Sequence, residues 1–170
     1  MIEASVKRSN KTCRGRGAVG KNAIVPKWIE ANVIAKDNCI LDFGSGKDMM
    51  HVKELRDKGF FIAGSEFGDN VTDEHIPCLP NDFFNFVYAS NVFNTHDNPK
   101  MSAEALHTIK ATLKNNGYLV YNMPTRPCYH WTITEFNKLV AIIFGWSPIK
   151  VDNRGIYMVK KDKYADKTLF

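Results

Sequence analysis

One segment narrows the possible folds more than any other. Cys39-Ile40-Leu41-Asp42-Phe43 is a short apolar run, and Gly44-Ser45-Gly46-Lys47-Asp48 follows it at once. A run of this length, bounded by turn residues, reads as a buried strand. Glycines directly after a strand permit a tight turn and a close approach of backbone to ligand. Spacing then predicts a helix over 49–58, with Val52 and Leu55 facing inward and Gly59 as a left-handed cap. A second strand over 60–64 ends near Ser65-Glu66. Strand, glycine turn, helix and strand make a parallel unit that needs more strands beside it and helices on both faces.

The rest of the chain supplies them. Pro26 opens a short helix over about 27–35, with Trp28 and Ile29 as core contacts. Residues 67–82 read as irregular, with Pro77 and Pro80. A third strand covers 83–89 and leads into Ser90-Asn91. Pro99 starts a helix to about Leu113, with Ala105, Leu106, Ile109 and Leu113 on one face. Asn115-Asn116-Gly117 stops it, and Tyr118 to Asn122 is a strand. Thr134 reads as the N-cap of a helix whose Phe136, Leu139, Val140, Ile143 and Phe144 share one stripe. Strands over 148–151 and 155–160, around Asp152-Asn153-Arg154, form a closing hairpin. The fold class is α/β, a doubly wound, mostly parallel sheet with a C-terminal antiparallel hairpin. Three parts are expected: a basic N-terminal arm over 1–22, a ligand-binding domain over 23–162, and a tail over 163–170.

In an open parallel sheet, ligands bind beyond the carboxyl ends of the strands, at the point where strand order reverses. That rule brings together 42–48, 65–67 and 90–94. A helix N-terminus after the glycines favours an anion by roughly 0.3–1 kcal/mol. Glu66, 22 residues after Gly44, closes the next strand, where a carboxylate accepts both hydroxyls of a ribose. A dinucleotide fingerprint wants a third glycine where this chain has Met49. Asp42, just ahead of the glycines, instead suits the amino group of an amino-acid ligand, such as a methionine moiety.

On these residues the chain resembles the class I S-adenosylmethionine (SAM)-dependent methyltransferases, with their Rossmann-like fold. Leu41-Asp42-Phe43-Gly44-Ser45-Gly46 is similar to their motif I, although Asp48 stands where a fuller motif has a third glycine. Tyr88-Ala89-Ser90-Asn91-Val92-Phe93-Asn94 resembles their motif IV region, and Leu113-Lys114-Asn115-Asn116-Gly117-Tyr118-Leu119 the turn before their fifth strand. The likeness covers about 24–160 and is nearest to the compact methyltransferase-like proteins of bacteriophages and mobile elements. It implies that Asp42, Gly44 and Gly46 hold the methionine end of SAM, with Phe43, Ser45 and Lys47 among the cofactor-binding residues. Glu66 would bind the ribose, Phe67 would stack beside the adenine, and Ser90 and Asn91 would lie next to the methylsulfonium, with Val92 also among the cofactor-binding residues. Asp73 and Asp82 are the candidates for an adenine-binding acid. Asn91 and His130 are the catalytic candidates, with His96 as another base. Lys21, in a segment that related folds close over SAM, would meet the cofactor's carboxylate. The sequence after Ser90 lacks the Asn/Asp-Pro-Pro-aromatic pattern of amino-methylating DNA enzymes, and Pro127-Cys128 is misplaced for cytosine-C5 chemistry.

The expected activity is methyl transfer from SAM to an unidentified acceptor, a nucleic acid or a small molecule. Two alternatives stand beside it: a phage-type enzyme that degrades SAM without an acceptor, and a non-catalytic SAM-binding or nucleic-acid-binding protein. Expected partners are SAM and S-adenosylhomocysteine (SAH). Charge adds the nucleic acid: residues 1–21 hold six basic side chains against Glu3 alone. Such an arm reads equally as a solubilising extension. Apolar runs all fall short of the ~20 residues of a membrane span. Cys13, Cys39, Cys78 and Cys128 form no CxxC pair and read as free thiols, so the expected location is the cytoplasm, that of the host if the gene is phage-borne.

Overall fold

The computed structural model describes residues 20, 22–96, 98–124 and 131–162. Residues 1–19 of the arm, Lys21, the tail, His130 and the Pro127-Cys128 loop lie outside the described residues. Among the described residues, four α-helices and six strands follow one another as α1 (Ile24–Asn32), β1 (Ile40–Phe43), α2 (Met50–Asp57), β2 (Ile62–Ser65), β3 (Phe84–Ser90), α3 (Pro99–Thr112), β4 (Leu113–Asn122), α4 (Ile133–Phe144), β5 (Ile149–Asp152) and β6 (Ile156–Lys160).

The strands form one sheet in the order β2-β1-β3-β4-β6-β5. β2, β1, β3 and β4 run parallel, and β6 and β5 are antiparallel additions. Side-chain alternation sorts the strand residues between two cores. Leu41, Phe43, Val87, Ala89, Leu119 and Tyr121 pack under α3 and α4, against Leu106, Ile109, Phe136 and Val140. Ile40, Tyr88, Val120 and Ile156 face the other way, against Val25 and Ile29 of α1 and Val52 and Leu55 of α2. The chain order β1, β2, then β3 on the far side of β1 puts the switch point between β1 and β3.

Several boundaries differ from the sequence reading. α1 begins three residues earlier, because Pro26 within the first turn forgoes an N–H that has no helical partner there. β4 starts at Leu113, directly after α3, so Asn115-Asn116-Gly117 lies inside the strand rather than before it. Pairing jumps from Phe84↔Leu113 to Phe86↔Tyr118, and the surplus residues bulge out with Asn116 at φ 66°. A Cβ on Gly117 would meet Lys114 O at 2.9 Å, so the bulge needs glycine at that point. The cap of α4 is Thr132, not Thr134. Its side chain accepts from Glu135 N–H while the Glu135 carboxylate accepts from Thr132 N–H, and this reciprocal pair requires the cap three residues before the glutamate. Cys39 lies just ahead of β1 and is half-buried.

Between β2 and β3 the chain forms neither strand nor α-helix, only a 3-10 turn at Gly68–Asn70. β2 is therefore an edge. The following segment folds back along it, and Ile76 N–H donates to Gly64 O at 3.0 Å. Among the described residues, no helix is long and apolar enough to cross a membrane.

Candidate active site

The loop after β1 is built on left-handed backbone. Gly44 and Gly46 sit at φ 82° and 74°. A Cβ on Gly44 would lie 2.6 Å from Val92 Cγ2, so the β1 and β3 loops meet in close contact at the switch point. Met49, which caps α2 where a dinucleotide fingerprint has glycine, is also left-handed at φ 50°. Gly44 N–H and Ser45 N–H both donate to Ser65 O, at 2.9 and 3.0 Å, which ties the loop to the end of β2.

Glu66 follows β2 and turns toward that loop. One carboxylate oxygen accepts from Gly46 N–H at 2.6 Å and the other from Phe67 N–H at 2.9 Å. A carboxylate has about four lone-pair sites, so two remain for a ligand's hydroxyls. Burial raises the Glu66 pKa above its ordinary value, against the opposing pull of the two amide N–H groups. Phe67 packs edge-on against Phe43 with ring centroids 5.0 Å apart.

Asp42 is buried on the α1–α2 face, directly paired in register with Tyr88. Tyr88 Oη donates to Asp42 Oδ2 at 2.8 Å. Burial pushes the Asp42 pKa up to about 7, the tyrosine hydrogen bond opposes this, and the Glu66 charge adds to it. Burial also raises the Tyr88 hydroxyl well above its usual range, so it stays a donor.

At the end of β3, Asn91 takes a left-handed φ of 56°, which asparagine tolerates better than most residues. Asn122, the last residue of β4, holds it in place. Asn91 N–H donates to Asn122 Oδ1 at 2.8 Å, and Asn122 Nδ2 donates to Asn91 Oδ1 at 2.7 Å. Among the described residues, three buried side-chain atoms lack a hydrogen-bond partner: Ser65 Oγ, Ser90 Oγ and Asn94 Oδ1. Two end β2 and β3, and the third lies just after β3. Buried polar atoms are normally paired, and these three lie at the carboxyl end of the sheet.

The structure brings Asp42, Gly44, Ser45, Gly46, Glu66, Phe67, Ser90, Asn91 and Val92 to one edge of the sheet. Lys47 is exposed on the same loop. Phe43 belongs there by backbone only, because its side chain is buried in the α3–α4 core. Asp82 does not belong there: it lies before β3, at the opposite end of the sheet, and pairs with Lys161 at 2.8 Å. Asp73 is exposed in a turn beside His75. His96 is half-buried, with Nδ1 3.1 Å from Ser102 Oγ of α3 and its ring edge-on to Phe93. Sequence reading gave no role to His75, Tyr88 and Asn122, whose partners lie 29, 46 and 31 residues away. Among the described residues no His, Cys, Asp and Glu group could hold a metal ion, and Cys39 and Cys78 are free thiols.

Comparison with known proteins follows the same lines. A TehB-like SAM-dependent methyltransferase from Corynebacterium glutamicum superposes with a TM-score of 0.65 at 15% identity, covering 94% of this chain and 99% of that one. The 1,6-didemethyltoxoflavin-N1-methyltransferase of Burkholderia thailandensis, solved with its substrate and SAH, gives 0.64 at 13% identity over 94% of this chain and 89% of its own. The [4+2]-cyclase SpnF is similar too, with a TM-score of 0.56 at 14% identity over 85% of this chain and 69% of its own. Curated proteins give no significant match. The methyltransferase-domain family model matches residues 22–163, and with the sheet order and the glycine loop in place the chain belongs to that family.

Proposed function

We propose that the chain binds SAM along the carboxyl edge of β1, β2 and β3 and transfers its methyl group to an acceptor. The observation that carries this reading is the placement of the unpartnered Ser65, Ser90 and Asn94 atoms beside the Gly44–Gly46 loop and Glu66. SAM supplies an electrophilic methyl group when bound. The chain's own residues supply position, which is most of what an in-line displacement needs. Asp42, charged above pH about 7, would meet the methionine amino group. Glu66 offers its two remaining lone-pair sites to the ribose hydroxyls. Gly44 and Gly46 keep the loop free of side chains, and Ser90 and Asn91 border the methyl-donating end. We take residues 23–162 as the unit that does this, with SAM and SAH as its ligands and the basic arm as the candidate contact for a nucleic-acid acceptor.

The fold alone does not fix the chemistry, as the similarity to a cyclase illustrates. The deciding experiment supplies methyl-labelled SAM with and without nucleic acid and small-molecule acceptors. Label passing to an added acceptor supports the transferase. Breakdown of SAM without any acceptor favours a SAM-degrading enzyme, and no turnover with intact binding favours a non-catalytic binder.

A further inference from the structure

Gly46 is held from both sides by the segment that follows β2. Its N–H is taken by Glu66, and its carbonyl lies 3.1 Å from His75 Nε2. His75 is 5% exposed, although it sits in the irregular stretch between β2 and β3. Its protonation pattern follows from its neighbours. Thr72 N–H can only donate, and it points at His75 Nδ1 from 2.9 Å. Nδ1 is therefore the acceptor, and the proton of the neutral ring is on Nε2, aimed at a carbonyl that can only accept. The contact is a directed hydrogen bond from His75 to Gly46. In its absence that carbonyl keeps only Met49 N–H, at 3.2 Å.

We infer that His75 is a positioning residue for the cofactor loop, acting through the Gly46 carbonyl to fix the loop and, through Gly46 N–H, the carboxylate of Glu66. The inference rests on the reading of this edge as a SAM site. It explains how a chain with no helix and strand between β2 and β3 still orders its glycine loop: the shortened segment turns back at 72–75 and clamps the loop itself. The charged groups around the clamp are Glu66, and Glu74 with its partner Lys53 on α2. None of them replaces the bond to Gly46.

Two substitutions separate the ring's two nitrogens. His75→Gln places an amide nitrogen near the Nε2 position and keeps a donor for Gly46. His75→Asn places an amide oxygen near Nδ1 and keeps only the acceptor for Thr72. SAH binding is measured by calorimetry, alongside thermal unfolding of the ligand-free protein. The expected result is that His75→Gln binds SAH within about threefold of the parent, while His75→Asn, still folded, binds about tenfold more weakly, the equivalent of one hydrogen bond. Equal affinities in the two variants, or the reverse order, overturn the inference. Absence of SAH binding by the unsubstituted chain overturns the SAM reading and this inference with it. Should His75→Asn fail to fold, nitrogen NMR of the ring in the unsubstituted protein decides: the proton on Nε2 in the SAH complex supports the clamp, and the proton on Nδ1 refutes it.

Discussion

The two ends of the parallel sheet bury comparable polar groups and treat them differently. At the amino end, among the described residues, the buried side-chain polar atoms are matched within the chain. Lys161, almost fully buried, donates to Leu113 O at 2.7 Å and to Asp82 at 2.8 Å. Asn85 Oδ1 accepts from Cys39 N–H and from Lys114. At the carboxyl end, Ser65, Ser90 and Asn94 keep buried oxygens that nothing in the described chain satisfies. Backbone strain does not separate the two ends, since left-handed residues occur at both: Met49 and Asn91 at one, Asp82 and Asn116 at the other. What separates them is unmet hydrogen bonding. One end is finished by the fold, and the other is where the proposed ligand would complete the hydrogen bonding.

The difference can be probed first through pH. The Asp42 pKa rises from 3.8 to about 7 on folding, because burial disfavours its charge. Between those values the folded chain holds a proton that the unfolded chain has lost, so stability is full below pH about 4 and falls as pH climbs to about 7. The contribution is on the order of 4 kcal/mol at most, and Glu66 acts in the same direction. Urea unfolding of Asp42→Asn between pH 4 and 8 should show a flatter profile than the parent. An unchanged slope would remove Asp42 as the source. If Asp42 meets the ligand's amino group as a carboxylate, as proposed, SAH binding should tighten over the same range.

At the matched end, Lys161→Ala leaves the Leu113 carbonyl without that donor and opens a gap. It should cost about 2–3 kcal/mol of unfolding free energy and leave SAH affinity unchanged. A loss of affinity without a loss of stability would break the comparison. Tyr88→Phe removes the tyrosine hydrogen bond to Asp42. It should destabilise by about 1–2 kcal/mol and move the Asp42 titration upward, which a carboxyl-resolved NMR titration would detect. Ser90→Ala deletes an oxygen that has no partner in the ligand-free chain. It should leave stability unchanged or raise it by up to about 1 kcal/mol, while weakening SAH binding. Destabilisation by this substitution would mean that the hydroxyl serves the fold.

The chain's local grammar made much of this readable in advance. Gly44, Gly46 and Glu66 stand at fixed steps along one strand–turn–helix–strand unit, so spacing alone placed them. Thr132 was equally readable from its Thr-x-x-Glu pattern, yet the apolar stripe of α4 drew the cap two residues onward to Thr134. Other features needed the sheet register. Asn122 meets Asn91 only because β4 lies beside β3 with its end level with Ser90. Tyr88 meets Asp42 only because β3 pairs with β1. Asp82 looked like a site acid because it lies between Glu66 and β3 in sequence, but the chain returns to the amino end of the sheet before β3 starts. His75 was hidden in an irregular stretch whose return path no periodicity announces.

If the unmatched end of the sheet is a SAM site organised by Glu66, losing that carboxylate weakens ligand binding and losing one at the other end does not. The most direct test is SAH calorimetry on the parent chain, Glu66→Ala and Asp82→Ala, two single carboxylate removals at opposite ends of the same sheet. The parent should bind, Glu66→Ala should lose about 2–3 kcal/mol from the missing charged hydrogen bonds, and Asp82→Ala should bind like the parent. No binding by the parent, or equal affinities in the two variants, would contradict it.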